Sequence, residues 1–290
     1  MREGRNSAVQ LVDNDEIHEL QTKLMHVDGL TGLYYPLDET NIFPVGRPGA
    51  GEKLAVPPKS LWHGYGEVED HYLAGGKAHA SIFRDTYEKY ASPLSAGQRV
   101  LDFGCSAGRI ARFIEEAANE GVEVWGCDID AASIDWCQKN LMPPINFFTN
   151  TTTTYLPFPD NHFDMIYAGS VFSHINEQTS AWLLELARVT KPGGVCIFTI
   201  HSEKTMDYIA SFESDAGHKL AKTARVLKSW GLNSDVLVKR GNMCFESSAW
   251  WLSAWYSIEY FSRLASLGFE VVDALPELYG YQTGMVLRGR

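Results

Sequence analysis

In the stretch VLDFGCSAGRIARF, residues 100–113, Asp102 stands just before a pair of spaced glycines, Gly104 and Gly108. A structural turn needs one glycine; two at this spacing mark a loop whose backbone lies close against a ligand. A helix opening at Gly108 would favour negative charge at its N-terminus. A dinucleotide loop reads G-x-G-x-x-G to seat a pyrophosphate, and that pattern is absent here. The carboxylate of Asp102 would repel a pyrophosphate, but it can hold an ammonium group directly or through water. Asp128 ends VEVWGCD, about twenty residues after the glycine loop, where an acid can accept both hydroxyls of a ribose. The plainer alternative is that both acids are caps or turn formers, as Asp130 is expected to be for the next helix. His174 and His201 each follow an apolar run. An imidazole with its ordinary pKa near 6.5 suits proton removal at neutral pH.

The elements that must position these groups alternate between strand and helix from Arg99 to Ile200. RVLDFG, VEVWGCD, INFFTN, FDMIYAG and VCIFTI are short and nearly continuous in apolar residues, as strands buried on both faces are. Helical stretches are predicted at 108–119, 131–140 and 178–190, the last ended by Lys191-Pro192-Gly193-Gly194. This order implies an α/β fold with a doubly wound parallel sheet, whose ligands bind at the carboxyl ends of the strands. Helices are also expected at 14–27 and 77–91, flanking a Gly- and Pro-rich irregular segment over 28–66. After Ser202 the alternation stops. One helix is expected at 215–230, with a basic face of His218, Lys219, Lys222, Arg225 and Lys228, and an aromatic-rich one at 248–267. FEVVDALPE and YQTGMVLRG are then so close in sequence that they must pair antiparallel.

These residues together resemble the class I S-adenosylmethionine-dependent methyltransferases. Asp102, Gly104, Cys105, Ser106 and Gly108 match the family's first motif, with Ser106 replacing its usual middle glycine. Serine fits there if its φ is negative. The resemblance implies ribose binding by Asp128 and adenine packing on Ile129. The segment Leu156-Pro157-Phe158, Asp160, Phe163-Asp164 and the stretch LLELARVTKPGGVCIFTIH are similar to the family's fourth-strand and fifth-strand regions. Many relatives bind the adenine amine with an acid after the third strand. Here Asn150, Thr151 and Thr152 must replace it. Gly169 and Ser170, after the fourth strand, join the expected cofactor contacts, and Tyr72, followed by Gly75-Gly76, is a candidate for the cofactor's carboxylate. The implied fold is a Rossmann-like seven-stranded sheet with an antiparallel last strand. Residues 1–76 would form an N-terminal helical and loop cap, and 77–290 the cofactor domain, with an insertion at about 203–257.

The implied activity is methyl transfer from S-adenosylmethionine to a small-molecule acceptor, with oxygen the favoured acceptor atom. Sulfonium chemistry requires no metal, and no metal-ligand spacing is evident. His174 and His201 are the candidate bases; Tyr65, Trp230, Trp251 and Trp255 are the candidate acceptor contacts, since aromatic walls suit ring-bearing molecules. The alternatives are a catalytically silent cofactor-binding partner subunit, methylation of a macromolecule, and a nicotinamide dehydrogenase. A net charge of −11 over 290 residues argues against nucleic acid as the substrate. No apolar leader or spanning run is seen, and the five cysteines are odd in number and scattered, so the expected setting is the reducing cytoplasm, away from the membrane. A homodimer is left open.

Overall fold

The computed structural model describes residues 54–117, 121–142, 144–215, 217–218, 220–248 and 251–290. The expected helix at 14–27 lies outside them. Helix α1, Glu69–Tyr90, opens with Glu69 and Asp70 at its positively polarised end. It buries Tyr72, Gly76, Ala80, Phe83 and Tyr87 along one stripe, the spacing of a single helical face. It starts eight residues before the expected 77, so the boundary drawn at 76 falls within it.

The central sheet then builds in order: β1 (Arg99–Phe103), α2 (Ala111–Ala117), β2 (Glu123–Asp128), α3 (Ala131–Asn140), β3 (Asn146–Thr149), β4 (Phe163–Ala168), α4 (Thr179–Val189) and β5 (Thr190–Ile200). After β5 come α5 (Glu203–Ala210), α6 (Ala221–Ser229), α7 (Ser234–Arg240), β6 (Asn242–Ser248), β7 (Trp251–Tyr256), α8 (Ile258–Ala265), β8 (Phe269–Tyr279) and β9 (Gln282–Gly289). Seven strands lie in the order β3-β2-β1-β4-β5-β9-β8. The first five are parallel, while β9 runs antiparallel to both β5 and β8. One apolar layer gathers Phe103, Trp125, Phe172, Trp182 and Phe198 on one face. Another gathers Phe83, Val100, Ile134, Phe147 and Ile197 on the other. Burial on both faces is why these strands read as unbroken apolar runs.

Between β5 and β8 the expectation needs correction. Residues 251–256 are strand, not helix, and pair antiparallel with β6 as a separate two-stranded sheet. WLSAWY is rich in aromatics that favour a pleated, half-buried surface, and only 258–265 continue as helix. The expected helix at 215–230 is reduced to α6. Helices α5 and α7, started by the side-chain caps of Ser202 and Asn233, were not expected. The hairpin is tied to the sheet edge by Ala254 N–H donating to Ser173 O (2.8 Å) and Tyr256 N–H to His201 O (2.9 Å). No helix among the described residues is long and apolar enough to cross a membrane.

Gly126 sits in mid-β2, where a Cβ would come within 2.8 Å of Phe147 Cε1 and 2.9 Å of Cys105 Sγ. Gly126→Ala is expected to cost about 1–3 kcal/mol, read as a lower urea midpoint with an unchanged slope.

Candidate functional site

The carboxyl ends of β1 and β4 open onto a cleft lined by Trp62, Tyr65, Tyr72, Asp102, Gly104, Cys105, Ser106, Arg109, Ile110, Gly169 and Tyr279; Asp128, Ile129 and Asn150 are not among the residues that line it. Asp102 is 1% exposed, and its Oδ2 has no hydrogen-bond partner. Burial pushes its pKa up to about 7, against the pull of the neighbouring Tyr167 hydroxyl and of Arg109. A buried carboxylate oxygen without a donor is costly, and a ligand cation would relieve that cost.

Asp128 at the end of β2 is held by the glycine loop itself. Its Oδ2 accepts from Ser106 N–H at 2.7 Å and its Oδ1 from Asp130 N–H at 2.9 Å. The loop curls tightly: φ is +83° at Gly104 and +68° at Gly108. A Cβ at Gly104 would lie 2.2 Å from Val171 Cγ2. Ser106 has φ +49°, not the negative value that would seat a serine without strain. A non-glycine residue held there stores conformational energy, and the bond from its amide to Asp128 holds it. Ser170, just past β4, is also left-handed at φ +64°. Ile129 beside Asp128 is 51% exposed. Asp130 caps α3, accepting from Ala132 N–H at 3.2 Å.

Across the third-strand position, Asn150 is buried and its Oδ1 unpartnered. Thr151 Oγ1 accepts from Thr153 N–H, and Thr152 is exposed. Of the three residues at that position, Asn150 keeps an acceptor to spare.

Tyr72 is buried in the cleft wall, stacked on Trp62 with ring centroids 4.8 Å apart, and its hydroxyl is unpartnered. Burial raises its pKa to about 12. Tyr65 lies over the guanidinium of Arg109 at 4.0 Å. Between Trp62 and Tyr65, His63 reaches Asp130 Oδ2 at 3.3 Å, so residues 62–65 arch from α1 across to α3. The hydrogen bond with Asp130 raises the His63 pKa against burial, and Asp130 falls to about 2, its bonds to His63 and Ser133 outweighing desolvation.

His201 and His174 both fall at the sheet edge. A chain of hydrogen bonds fixes the protonation of His201. Thr199 Oγ1 accepts from Ser170 N–H at 2.7 Å, so its own proton goes to Gln282 Oε1, also at 2.7 Å. That orients the Gln282 amide, whose Nε2 donates to Ser170 Oγ (2.8 Å) and to His201 Nε2 (3.3 Å). The neutral ring therefore carries its proton on Nδ1, which is buried and unpartnered. Burial lowers the His201 pKa to about 3, helped by nearby His174. In this arrangement His201 offers an N–H donor, whereas the sequence suggested a base. His174 is exposed.

The aromatic candidates divide. Tyr65 lines the cleft. Trp255 is core, 1% exposed, between Phe245 and His201. Trp230 is 53% exposed and stands edge-on to Phe245. The Trp251 side chain lies outside the described residues. Sequence reasoning missed Arg109, Trp62 and Tyr279.

A family model described as the methyltransferase domain matches residues 101–198. An uncharacterized methyltransferase of Schizosaccharomyces pombe is 27% identical, over 73% of this chain and 81% of its own. A ubiquinone/menaquinone biosynthesis C-methyltransferase of Coxiella burnetii is 32% identical over 39% of this chain. The chain spans about half the length of the curated quinone-pathway relative, 46% of it. The crystal structure of the PH0226 protein from Pyrococcus horikoshii superposes with a TM-score of 0.53 at 16% identity, over 78% of this chain and 95% of that one. It shares the fold.

Because the folded pKa of His63 lies above its ordinary 6.5, the charged pair with Asp130 is present below that value and is lost as pH rises through the raised pKa. The His63 ring resonances should titrate with a midpoint above 6.5. Asp130→Asn should bring that midpoint down, and an unchanged midpoint would show that the pair does not hold the arch.

Proposed function

We infer that this chain, a class I S-adenosylmethionine-dependent methyltransferase, moves a methyl group to a small ring-bearing acceptor. The observation that carries this reading is the pair of unpartnered buried polar atoms in the cleft wall, Asp102 Oδ2 and Tyr72 Oη, with Asn150 Oδ1 likewise unpartnered after β3. Each is an unmet hydrogen-bonding demand that the cofactor's groups would meet.

S-adenosylmethionine supplies a methyl group already activated on a sulfonium. The protein's task is to align, to exclude water and to handle the acceptor's proton. Asp102 holds the ammonium group; Asp128 accepts the ribose hydroxyls; Ile129 packs on the adenine, and Asn150 Oδ1 accepts from its amine. Cys105, Gly104 and Gly108 bring the loop backbone close to the nucleoside, and Gly169 and Ser170 floor the site beyond it. Tyr65 closes the arch over the cleft. On the acceptor side, His174 takes the proton from an arriving hydroxyl. His201 donates its Nδ1 proton to an acceptor oxygen. A ring carrying an oxygen suits both, and the quinone-pathway relative named above acts on carbon of its own acceptor, as its name states. Oxygen is the acceptor atom in this reading, because an arriving hydroxyl gives His174 a proton to take. A silent cofactor-binding subunit is the second reading, favoured by the serine in the glycine loop and the missing third-strand acid.

Calorimetry should give saturable binding of S-adenosylhomocysteine and none of NAD. Turnover over a panel of hydroxylated aromatic acceptors would support the enzyme reading, and binding with no turnover the silent one. Asp102 must be ionised to hold an ammonium group, and its free-state pKa is about 7. S-adenosylhomocysteine affinity should therefore fall as pH drops below about 7, by up to tenfold per unit, and level off above it. Asp102→Asn should flatten this dependence. His174→Gln should cut turnover about a hundredfold with cofactor affinity nearly intact.

A further inference from the structure

Residues 217–241 carry six Lys or Arg and one Asp, a net charge of +5 in a chain whose total is −11. The structure folds this basic stretch into α6, the turn after it and α7. Lys222, Arg225, Lys239 and Arg240 are exposed, and none of them makes an ion pair among the described residues. Lys228 does, held by Glu213 at 2.6 Å.

Apolar side chains stand among these charges. Helix α6 buries Ala221, Ala224 and Leu227, so its opposite side faces water. On that side Lys222, Val226 and Trp230 follow one another at four-residue spacing, with Arg225 beside them. Trp230 is more than half exposed, as is Val238 in α7. The same turn borders a groove whose apolar lining is Met206, Ala224, Leu227 and Leu232. A water-facing helix side ordinarily carries polar residues alone. One that mixes Trp with Lys and Arg has the composition of a helix lying on a lipid surface.

Charge and residue type choose the occupant. A positive surface on an acidic protein selects an anionic partner. Four of the six cations are Lys, a type depleted from protein–protein interfaces. Anionic headgroups present diffuse charge, which mobile ammonium groups meet without a fixed geometry.

We propose that the outer side of α6 and the Trp230 turn dock on an anionic lipid surface. Trp230 enters at the headgroup level, Lys222 and Arg225 meet the lipid charges, and Lys239 and Arg240 add to the local positive field. That no helix among the described residues can cross a membrane concerns spanning, whereas this contact is peripheral. Trp230 is also the outermost of a run of rings through Phe245 and Trp255 to His201, with centroids 5.3, 6.1 and 4.7 Å apart. With His201 on the acceptor side, as inferred above, an acceptor dissolved in the lipid would meet the protein on that side. The docking itself does not depend on that reading.

The test is flotation of the full chain with vesicles of phosphatidylcholine alone and of phosphatidylcholine mixed with phosphatidylserine. Binding to the anionic vesicles should be tighter by about tenfold or more, and salt at about 0.5 M should release it. Lys222→Ala/Arg225→Ala should weaken that binding about 30-fold, at roughly fivefold for each basic residue. The blue shift of tryptophan emission on vesicle binding should be absent in Trp230→Phe. Calorimetry on the double variant should give the wild-type affinity for S-adenosylhomocysteine, so that failure of the docking and failure of the cofactor reading are told apart. Equal binding to both vesicle types, or binding to neither, overturns the proposal. So does a double variant that keeps the vesicles and loses polyglutamate or RNA instead, which would assign this side to a protein or nucleic-acid partner. Should the double variant not fold, the lipid and salt dependence of the wild type still decides.

Discussion

A carboxylate oxygen buried at the end of β1 with no donor is the constraint around which the cleft is organised. Asp102 is inside because the strand that carries it is covered on both faces, and it cannot move out without breaking the register of β1 with β2 and β4. Burial pushes its pKa up to about 7. The Tyr167 hydroxyl beside it pulls against that rise, while Arg109 is turned to Tyr279 and His79. A ligand cation completes what the fold leaves open.

The second acid works differently. Asp128 already has two backbone donors, one from the strained Ser106 and one from the start of the α3 cap. It therefore fixes the shape of the glycine loop. A ribose held there would share an oxygen with the loop amide, which couples nucleoside binding to loop geometry. The arch over residues 62–65 adds a third tie, from His63 to Asp130, so the two ends of the cleft are bridged by a segment that touches Arg109 at one end and α3 at the other.

Much of this was legible in the sequence, for stated reasons. Apolar strand runs and the helices between them are local patterns; they put Asp102 and Asp128 on strands and made the strands between Arg99 and Ile200 parallel. The antiparallel pairing of the last two strands followed from the short link between them. The hairpin of β6 and β7 was misread because WLSAWY has an aromatic content that suits strand and helix alike, and only its pairing with β6 decides. The φ of Ser106 was not legible because a backbone angle in a loop is imposed by its partner, here Asp128, and has no local signature. Arg109 was overlooked because what seats it in the cleft is its contact with His79 and Tyr279, which is a tertiary fact. His201 was placed correctly at the sheet edge. Its chemistry was not legible, since Gln282, far along the chain, takes the lone pair a base would need.

The central claim is that Asp102 and Asp128 face one cleft and hold opposite parts of a single nucleoside ligand. A crystal structure of the protein with S-adenosylhomocysteine tests it most directly. The account requires the ammonium group within hydrogen-bonding reach of Asp102, directly or through one water, and the ribose hydroxyls on Asp128. A nucleoside seated elsewhere, or either carboxylate turned from it, would contradict the account and leave only the sheet topology standing.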